Sequence, residues 1–280
     1  MPKTYFQLLQ DATQQLKTRG QETTAAAYLL TERLGWNQTQ LLVHYQSAVP
    51  DAVAKQFAQD LAQFEQDVPA QYIIGRADFY GHSFQVTPAT LIPRPETEEL
   101  VEWALNTLPN QPLQAVDIGT GTGAIAVSLK LERPAWQLTA TDLSASAVQV
   151  ARANAAQLGA KITFKQGDLF APLAGQQFDL IISNPPYIAA SEKAVMDASV
   201  LKYEPQGALF APEDGLQFYR RFAQQAQAYL RPHGWLFLEY GYHQQDSIAA
   251  LFKQYFPALK LHFRRDIAGH PRMMAGQLAE

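Results

Sequence analysis

Hydrophobic residues in the first quarter of the chain recur at intervals of three and four, which places them on one face of a helix. Three such stretches are present, with apolar positions Tyr5, Leu8, Leu9, Ala12 and Leu16, then Ala26, Leu29, Leu30 and Leu34, and then Val53, Phe57, Leu61 and Phe64. Gly20 and Gly35 follow the first two stretches, as glycines commonly follow helices. The pattern predicts a small helical bundle over residues 1–70.

The pattern changes after residue 70, where short apolar runs replace the helical spacing. Residues 72–75 and 77–86 are typical of short strands, and the second run predicts a hairpin with its turn at Gly81-His82. Three prolines follow within ten residues and indicate an extended linker. We therefore predict a β-hairpin and linker over residues 71–95, followed by a helix over residues 96–108.

From residue 115 onward, strand-like and helix-like segments alternate. The strand candidates are residues 115–118, Gln137–Asp142, Ile162–Gln166, Phe178–Ser183 and 235–240, and the clearest helical patterns cover residues 144–158 and 216–230. Such alternation implies crossover connections onto a parallel sheet. Two final runs, residues 259–264 and 273–278, have no helix between them and predict an antiparallel pair at the sheet edge. The predicted fold class is α/β, with a Rossmann-like, mostly parallel sheet.

Composition and charge narrow the possible functions. The chain has 280 residues, more than one compact core usually needs, and a net charge of −4. That charge and the lack of a Lys/Arg-rich segment argue against a groove for nucleic acid, whose backbone is densely negative. No apolar run approaches the roughly eighteen residues of a membrane span, and without cysteine no disulfide or thiolate metal site forms. We expect a cytoplasmic monomer with no membrane anchor, no bound metal and no direct contact with nucleic acid.

A glycine-rich loop follows the first strand of the predicted sheet. Its sequence is Val116-Asp117-Ile118-Gly119-Thr120-Gly121-Thr122-Gly123-Ala124. The glycines let the backbone turn sharply and approach a ligand closely, and Asp142 at the end of the next strand can accept from both hydroxyls of a ribose. The loop also satisfies the looser glycine pattern of dinucleotide enzymes. Asp117, immediately before the loop, resembles the acidic residue that opens the methyltransferase glycine motif. The spacing of Gly119, Gly121 and Gly123 suits S-adenosyl-L-methionine, which has no pyrophosphate. Asp168-Leu169, after the third strand, is a weaker candidate for adenine contact.

The tetrapeptide Asn184-Pro185-Pro186-Tyr187 directly follows an apolar strand and is the most informative stretch of the chain. Its prolines stiffen the loop and leave carbonyl groups available as acceptors. The Asn184 side-chain oxygen and the Pro185 carbonyl can both accept from one planar NH2 group, whose delocalised lone pair makes it a poor nucleophile. Preorganised acceptors stabilise the positive charge that develops on such a nitrogen, and Tyr187 offers an aromatic face. We predict catalytic roles for Asn184, Pro185, Pro186 and Tyr187.

Three other functions compete with a methyl transfer to an amide. An adenine-N6 methyltransferase acting on DNA or RNA faces the same chemical problem, but it needs base flipping and a basic groove. A nicotinamide-dependent oxidoreductase would use the glycine loop and leaves the Asn-Pro-Pro-Tyr tetrapeptide unexplained. A non-catalytic cofactor-binding adaptor would keep the loop without needing the acceptor pair.

The chain resembles the HemK/PrmC family of release factor glutamine N5-methyltransferases over nearly its full length. Besides the glycine loop and the tetrapeptide, the similar segments are Gln71-Tyr72-Ile73-Ile74-Gly75, Phe79-Tyr80-Gly81, Leu91-Ile92-Pro93-Arg94-Pro95-Glu96-Thr97-Glu98, Tyr203-Glu204-Pro205, Ala208-Leu209 and Asp214-Gly215-Leu216. Most methyltransferases share a glycine motif, whereas the Ile-Pro-Arg-Pro-Glu-Thr-Glu block is specific.

The resemblance implies a class I methyltransferase sheet over residues 96–280. It implies methyl transfer from S-adenosyl-L-methionine to the side-chain amide N5 of the glutamine in the Gly-Gly-Gln motif of bacterial peptide chain release factors. The domain over residues 1–70 would then help to dock the release factor. The expected cofactor contacts are Asp117, Gly119, Thr120, Gly121, Thr122, Gly123, Asp142, Asp168, Leu169 and Asn184. Relatives can carry tryptophan at position 169, so leucine there is expected to stack less on adenine.

Overall fold

The computed structural model describes residues 2–279, which form two compact units. One unit contains residues 2–76 together with Asp197–Tyr203, and the other contains residues 77–196 and 204–279. The first unit is built from helices and the second around a large sheet. The short segment Asp197–Tyr203 therefore belongs to the helical unit, although its neighbours in sequence belong to the other.

The N-terminal part of the helical unit confirms the predicted bundle. Its helices are Tyr5–Thr18 (α1), Thr24–Leu34 (α2), Gln38–His44 (α3), Asp51–Phe64 (α4) and Ala70–Ile74 (α5). Thr4 and Asn37 cap α1 and α3, and in each case the glutamine three residues later bonds back to the capping residue. The predicted apolar stripes form the core, in which Leu16, Leu29 and Leu30 are buried.

The prediction of a strand over residues 72–75 is wrong, because residues 72–74 lie in α5. Pro69 precedes this helix and Gly75 ends it in the left-handed conformation, with φ of 83°. The Arg33 guanidinium forms an ion pair with buried Asp60 and donates to the Ile73 carbonyl at 2.7 Å. The short apolar run by itself favoured a strand, whereas in the folded protein a contact with Arg33 supports a turn of helix.

The predicted hairpin is present. Arg76–Phe79 (β1) and His82–Gln85 (β2) form a separate two-stranded sheet. Tyr80 and Gly81 connect them, both at positive φ, so the turn lies one residue earlier than predicted. The predicted linker follows, and Pro95 becomes the first residue of the next helix.

The main sheet has the predicted α/β topology. Its strands are Gln114–Ile118 (β3), Gln137–Asp142 (β4), Ile162–Gln166 (β5), Phe178–Ser183 (β6), Leu230–Glu239 (β7), Leu259–Arg265 (β8) and Pro271–Leu278 (β9). They lie in the order β5-β4-β3-β6-β7-β9-β8. Pairs from β5 to β7 are parallel, and β9 pairs antiparallel with both β7 and β8, which confirms the antiparallel pair at the edge. β7 begins at Leu230 rather than residue 235, because Leu230 pairs with Phe178 before a register shift.

Helices cover both faces of this sheet. The helices of this unit are Pro95–Thr107 (α6), Ala124–Glu132 (α7), Ala145–Gln157 (α8), Gln206–Leu209 (α10), Gln217–Gln225 (α11) and Gln245–Tyr255 (α12), while Ala198–Tyr203 (α9) lies in the helical unit. One core joins α6, α7 and α8 to the sheet face that carries Ala115. A second core joins α11 and α12 to the opposite face, where Val116 lies. The sheet is thus buried on both sides, as parallel sheets generally are.

Two kinds of feature are absent from residues 2–279. No helix there combines the length and the apolar character that a membrane crossing requires. No group of three or more His, Cys, Asp or Glu side chains there is arranged to hold a metal ion.

Candidate active site

A cavity of about 450 Å³ opens at the carboxyl ends of the parallel strands β3, β4 and β6. This end of an open α/β sheet is where ligands generally bind. Most of the predicted site residues line the cavity, namely Gly119, Thr120, Gly121, Thr122, Asp142, Asp168, Leu169, Asn184 and Pro186. Asp117, Gly123, Pro185 and Tyr187 do not line the cavity, but each lies within two positions of a residue that does. The fold therefore brings three separate predicted motifs together around one space.

Backbone hydrogen bonds fix the glycine loop against strand β4. The amides of Gly119 and Thr120 both donate to the Thr141 carbonyl at 2.9 Å. Gly119, Gly121 and Gly123 all have positive φ, a conformation that strains residues with a Cβ. A Cβ on Gly123 would also lie 3.1 Å from that of Ala151. The loop needs its glycines for the turn and for the close packing of α7 on α8.

Asp142 supports the loop from the end of β4 and faces the cavity. One carboxylate oxygen accepts from the Gly121 amide and the other from the Ser144 amide, each at 2.9 Å. Burial raises the pKa of this carboxyl group, and the backbone donors oppose that shift. Each oxygen keeps a further lone pair, so the side chain can accept from a ligand as well.

Asp117 is completely buried beneath the glycine loop. One oxygen accepts from the Thr120 hydroxyl at 2.6 Å, while the other has no hydrogen-bond partner among residues 2–279. Burial raises the pKa of the carboxyl group to about 7. An unpaired carboxylate oxygen is costly in a dry interior, and it fits a site that receives a donor or a positive charge from a bound ligand.

The raised pKa of Asp117 predicts a pH effect on stability. Because the folded protein holds this proton more tightly than the unfolded chain, the group stabilises the fold fully below its unfolded pKa of about 3.9. That contribution is lost as the pH rises through about 7. In Asp117→Asn, the decline of unfolding free energy between pH 5 and 8 should be shallower, by at most about 1.4 kcal/mol per pH unit. Urea unfolding of both proteins at several pH values measures this, and equal slopes would contradict it.

The Asn-Pro-Pro-Tyr loop presents two free acceptors. The Asn184 Nδ2 group donates to the Thr97 hydroxyl at 2.9 Å, which leaves its Oδ1 as the outward acceptor. Within residues 2–279, neither Asn184 Oδ1 nor the carbonyl of buried Pro185 accepts a hydrogen bond. Tyr187 donates through its hydroxyl to Glu239 at 3.3 Å, and burial raises its pKa. The loop therefore holds one side-chain acceptor and one backbone acceptor that no group in the described part of the chain occupies.

Asp168 and Leu169, the residues predicted to contact adenine, line another part of the cavity. Asp168 is half-exposed and forms an ion pair with Arg221 at 2.6 Å. Leu169 is buried at a φ of 46°. Phe218 from α11 also lines the cavity and provides an aromatic ring that the sequence analysis did not identify. An aromatic surface is thus available here although position 169 carries leucine.

Several buried polar residues that hold the site were missed. Glu204 accepts from the Ile92 amide at 3.1 Å and from Arg94 at 2.5 Å, which ties the Ile-Pro-Arg-Pro segment to the Tyr-Glu-Pro segment. Gln244 donates through Nε2 to the Tyr187 carbonyl at 2.8 Å and to the Asp214 carbonyl at 3.0 Å. Arg94 and Glu204 lie in segments that resemble the HemK/PrmC family, so the sequence did contain a signal for these two residues. No sequence signal pointed to Gln244.

Gly215 lies against the carbonyl of Tyr187 and the side chain of Gln244, where a Cβ would overlap both. Its φ is +81°, while Gly269 in the β8–β9 turn has a φ of +85° with open space around it. Gly215→Ala should destabilise the protein by roughly 1–3 kcal/mol more than Gly269→Ala, because only the first adds a steric overlap to backbone strain. Chemical unfolding of the two variants measures the difference. Equal losses of stability would show that the Tyr187 loop is not clamped at this point.

Comparisons with known proteins identify relatives of this chain. Residues 7–75 match the family described as PrmC N-terminal domain, and residues 101–209 match the family described as Methyltransferase small domain. The release factor glutamine methyltransferase of Enterococcus faecalis is 47% identical over 273 residues, which are 98% of this chain and 99% of that protein. Its counterpart from Streptococcus pneumoniae is 39% identical over 269 residues, 96% of each chain.

Solved structures support the fold. A methyltransferase from Pyrococcus furiosus aligns with a TM-score of 0.56 and 17% sequence identity, over 78% of this chain and 100% of that one. At this level of identity the likeness concerns the fold alone. It confirms the predicted class of α/β sheet.

Proposed function

The chain belongs to the release factor glutamine methyltransferase family, and we propose that it methylates the side-chain amide nitrogen N5 of the glutamine in the Gly-Gly-Gln motif of peptide chain release factors. The methyl donor in this proposal is S-adenosyl-L-methionine. The family resemblance and the enzyme class predicted from the sequence are confirmed by the matches over nearly the whole chain.

The pair of free acceptors in the Asn-Pro-Pro-Tyr loop is the observation that carries the proposal. A glutamine amide has two N–H groups in one plane and a nitrogen whose lone pair is delocalised into the carbonyl. Asn184 Oδ1 and the Pro185 carbonyl can accept one hydrogen each, which holds the nitrogen in place and stabilises the positive charge that develops on it. Pro186 stiffens the loop, and the Tyr187 ring limits where the flat amide can lie.

The residues around the rest of the cavity fit S-adenosyl-L-methionine, which supplies an electrophilic methyl group when bound. In this proposal Asp142 accepts from the ribose hydroxyls, and the backbone of Gly119 to Gly123 lies along the cofactor. The buried carboxyl group of Asp117 suits the ammonium group at the amino acid end of the cofactor. Leu169 and Phe218 cover the adenine, and Asp168 accepts from the adenine amine with the oxygen that Arg221 leaves available.

The proposal also assigns a role to each part of the chain. In this proposal residues 1–70 form a domain that docks the release factor, residues 71–95 form the β-hairpin and linker, and residues 96–280 form the S-adenosyl-L-methionine-dependent methyltransferase domain. The enzyme acts in the cytoplasm as a monomer. It contacts its protein substrate without binding nucleic acid directly.

Methyl transfer from labelled S-adenosyl-L-methionine tests the proposal. A purified release factor should incorporate label, and the same factor with its Gly-Gly-Gln glutamine replaced by asparagine should not, because the shorter side chain cannot reach the same position. DNA and RNA containing adenine serve as alternative acceptors. Label in adenine but not in the factor would favour the adenine-N6 methyltransferase and overturn the proposed substrate.

A further inference from the structure

A buried chain of hydrogen bonds runs from Asn184 into the protein. Asn184 Nδ2 donates to Thr97 Oγ1 at 2.9 Å, and Thr97 Oγ1 donates to Glu239 Oε2 at 2.6 Å. Thr97 is 4% exposed and Glu239 is 1% exposed. Thr97 lies in the first turn of α6 and Glu239 at the end of β7, so three elements far apart in sequence meet behind the acceptor loop.

The donors and acceptors in this chain fix its direction. An ionised glutamate accepts hydrogen bonds and donates none, and a threonine hydroxyl has a single hydrogen. Thr97 gives that hydrogen to Glu239, so its oxygen can only accept from the neighbouring amide. Asn184 must therefore turn its NH2 group toward Thr97, and its Oδ1 is left facing away from Thr97.

We propose that Glu239 and Thr97 are positioning residues for methyl transfer, which fix the amide orientation of Asn184 so that Oδ1 rather than Nδ2 meets the substrate nitrogen. The inference rests on the proposed function and extends it to two residues outside the Asn-Pro-Pro-Tyr loop. A reversed Asn184 amide would present a donor to another donor, and the substrate NH2 group would lose one of its two acceptors.

The surroundings of Glu239 connect the same carboxylate to Tyr187. Its Oε1 accepts from the Tyr187 hydroxyl at 3.3 Å, and the Tyr219 hydroxyl donates to its backbone carbonyl at 2.6 Å. Arg272 on β9 favours the charged form, while Glu96 on α6 opposes it. The carboxylate thus holds two residues of the acceptor loop, one directly and one through Thr97.

Protonation of Glu239 would reverse the hydrogen-bond chain. Burial raises the pKa of Glu239 to about 7. A protonated carboxyl group can donate to Thr97, whose own hydrogen then turns toward Asn184 and favours the reversed amide. The ionised form of Glu239 is the one that orients Asn184 productively. Because the pKa of Glu239 is raised, this form is lost as the pH falls below about 7. We expect kcat at saturating substrates to decline over that range in the wild type.

Substitution of Thr97 tests the inference. Thr97→Val keeps the shape and removes the hydroxyl, and it should lower kcat by about 10–100-fold, since a misoriented positioning group has effects of this order. Thr97→Ser restores a hydroxyl and should recover most of the loss. Thr107→Val is the matched control, because it removes a hydroxyl that bonds to the Trp103 carbonyl near the end of the same helix. The control should match the wild type.

The pH profile separates orientation from a merely structural role. Glu239→Gln should lower kcat by about 10-fold, because a glutamine amide can turn either an oxygen or an NH2 group toward Thr97. Both Glu239→Gln and Thr97→Val should lack the decline below about pH 7, whereas Thr97→Ser should keep it. Affinity for S-adenosyl-L-methionine should stay within about twofold of the wild type in all variants.

The possible results distinguish a failure of the positioning role from a failure of the proposed methyl transfer. A Thr97→Val enzyme with wild-type kcat, or a Glu239→Gln enzyme with an unchanged acidic decline, would overturn the positioning role while the proposed methyl transfer stands. A wild-type enzyme that transfers no methyl group to the release factor would overturn the proposed function and this inference together. That result appears before any variant is made, so the two failures are distinguishable.

Discussion

Asn184→Ala should reduce kcat for methylation of the release factor by about 100–1,000-fold, which corresponds to the loss of one preorganised acceptor at the reacting nitrogen. The substitution removes Oδ1, which accepts no hydrogen bond from the described part of the chain and belongs to a residue that lines the cavity at the start of the Asn-Pro-Pro-Tyr loop. It leaves the glycine loop and Asp142 in place. Affinity for S-adenosyl-L-methionine, measured by calorimetry, should therefore change by no more than about threefold.

Asn110→Ala is a matched control for this experiment. Asn110 is exposed in the connection between α6 and β3, away from the cavity lining. Both kcat and cofactor affinity of that variant should equal those of the wild type. Near-normal methylation by Asn184→Ala would contradict the acceptor role, and a large loss of cofactor affinity without a fall in kcat would assign Asn184 to cofactor binding instead.

The second large effect is expected at Asp142. Asp142→Ala should weaken binding of S-adenosyl-L-methionine by about 10–1,000-fold, because charged hydrogen bonds are worth roughly 1.5–3 kcal/mol each. Two losses combine in this variant, namely the proposed bonds to the ribose and the support of the Gly121 amide at 2.9 Å. Asp142→Asn keeps one oxygen acceptor and should fall between the alanine variant and the wild type.

Asp78→Ala provides the control for a lost carboxylate. Asp78 is exposed on strand β1 and does not line the cavity. That variant should bind the cofactor normally. An unchanged dissociation constant for Asp142→Ala would count against the ribose contact, even if the protein were less stable.

Much of the fold follows from local pattern. The strands Gln137–Asp142, Ile162–Gln166 and Phe178–Ser183 have the predicted bounds, because the alternation of short strand-like and longer helix-like segments is typical of a parallel sheet with crossover connections. The glycine loop and the Asn-Pro-Pro-Tyr loop were also predictable, since each follows such a strand. Strand ends of one parallel sheet meet at one edge, and so the two motifs face one cavity.

Other parts of the structure depend on contacts between residues far apart in sequence, which no local pattern predicts. The hydrogen bond between Thr97 and Glu239 joins residues 142 positions apart, and that between Asn184 and Thr97 joins residues 87 apart. Neither a threonine in a helix nor a glutamate at a strand end is unusual by itself, so the sequence around each residue did not indicate this bond. Helix α5 was predicted as a strand for the same reason, because the guanidinium that holds the Ile73 carbonyl comes from α2. The short helices α9 and α10 were missed because each has few buried apolar residues.

The most direct test of the proposed function is the mass of the Gly-Gly-Gln peptide from a release factor incubated with the enzyme and S-adenosyl-L-methionine. We expect one added methyl group, which fragmentation places on the glutamine side-chain amide. An unmodified peptide from a reaction in which the cofactor is bound would contradict the proposed function, and so would a methyl group on any other residue.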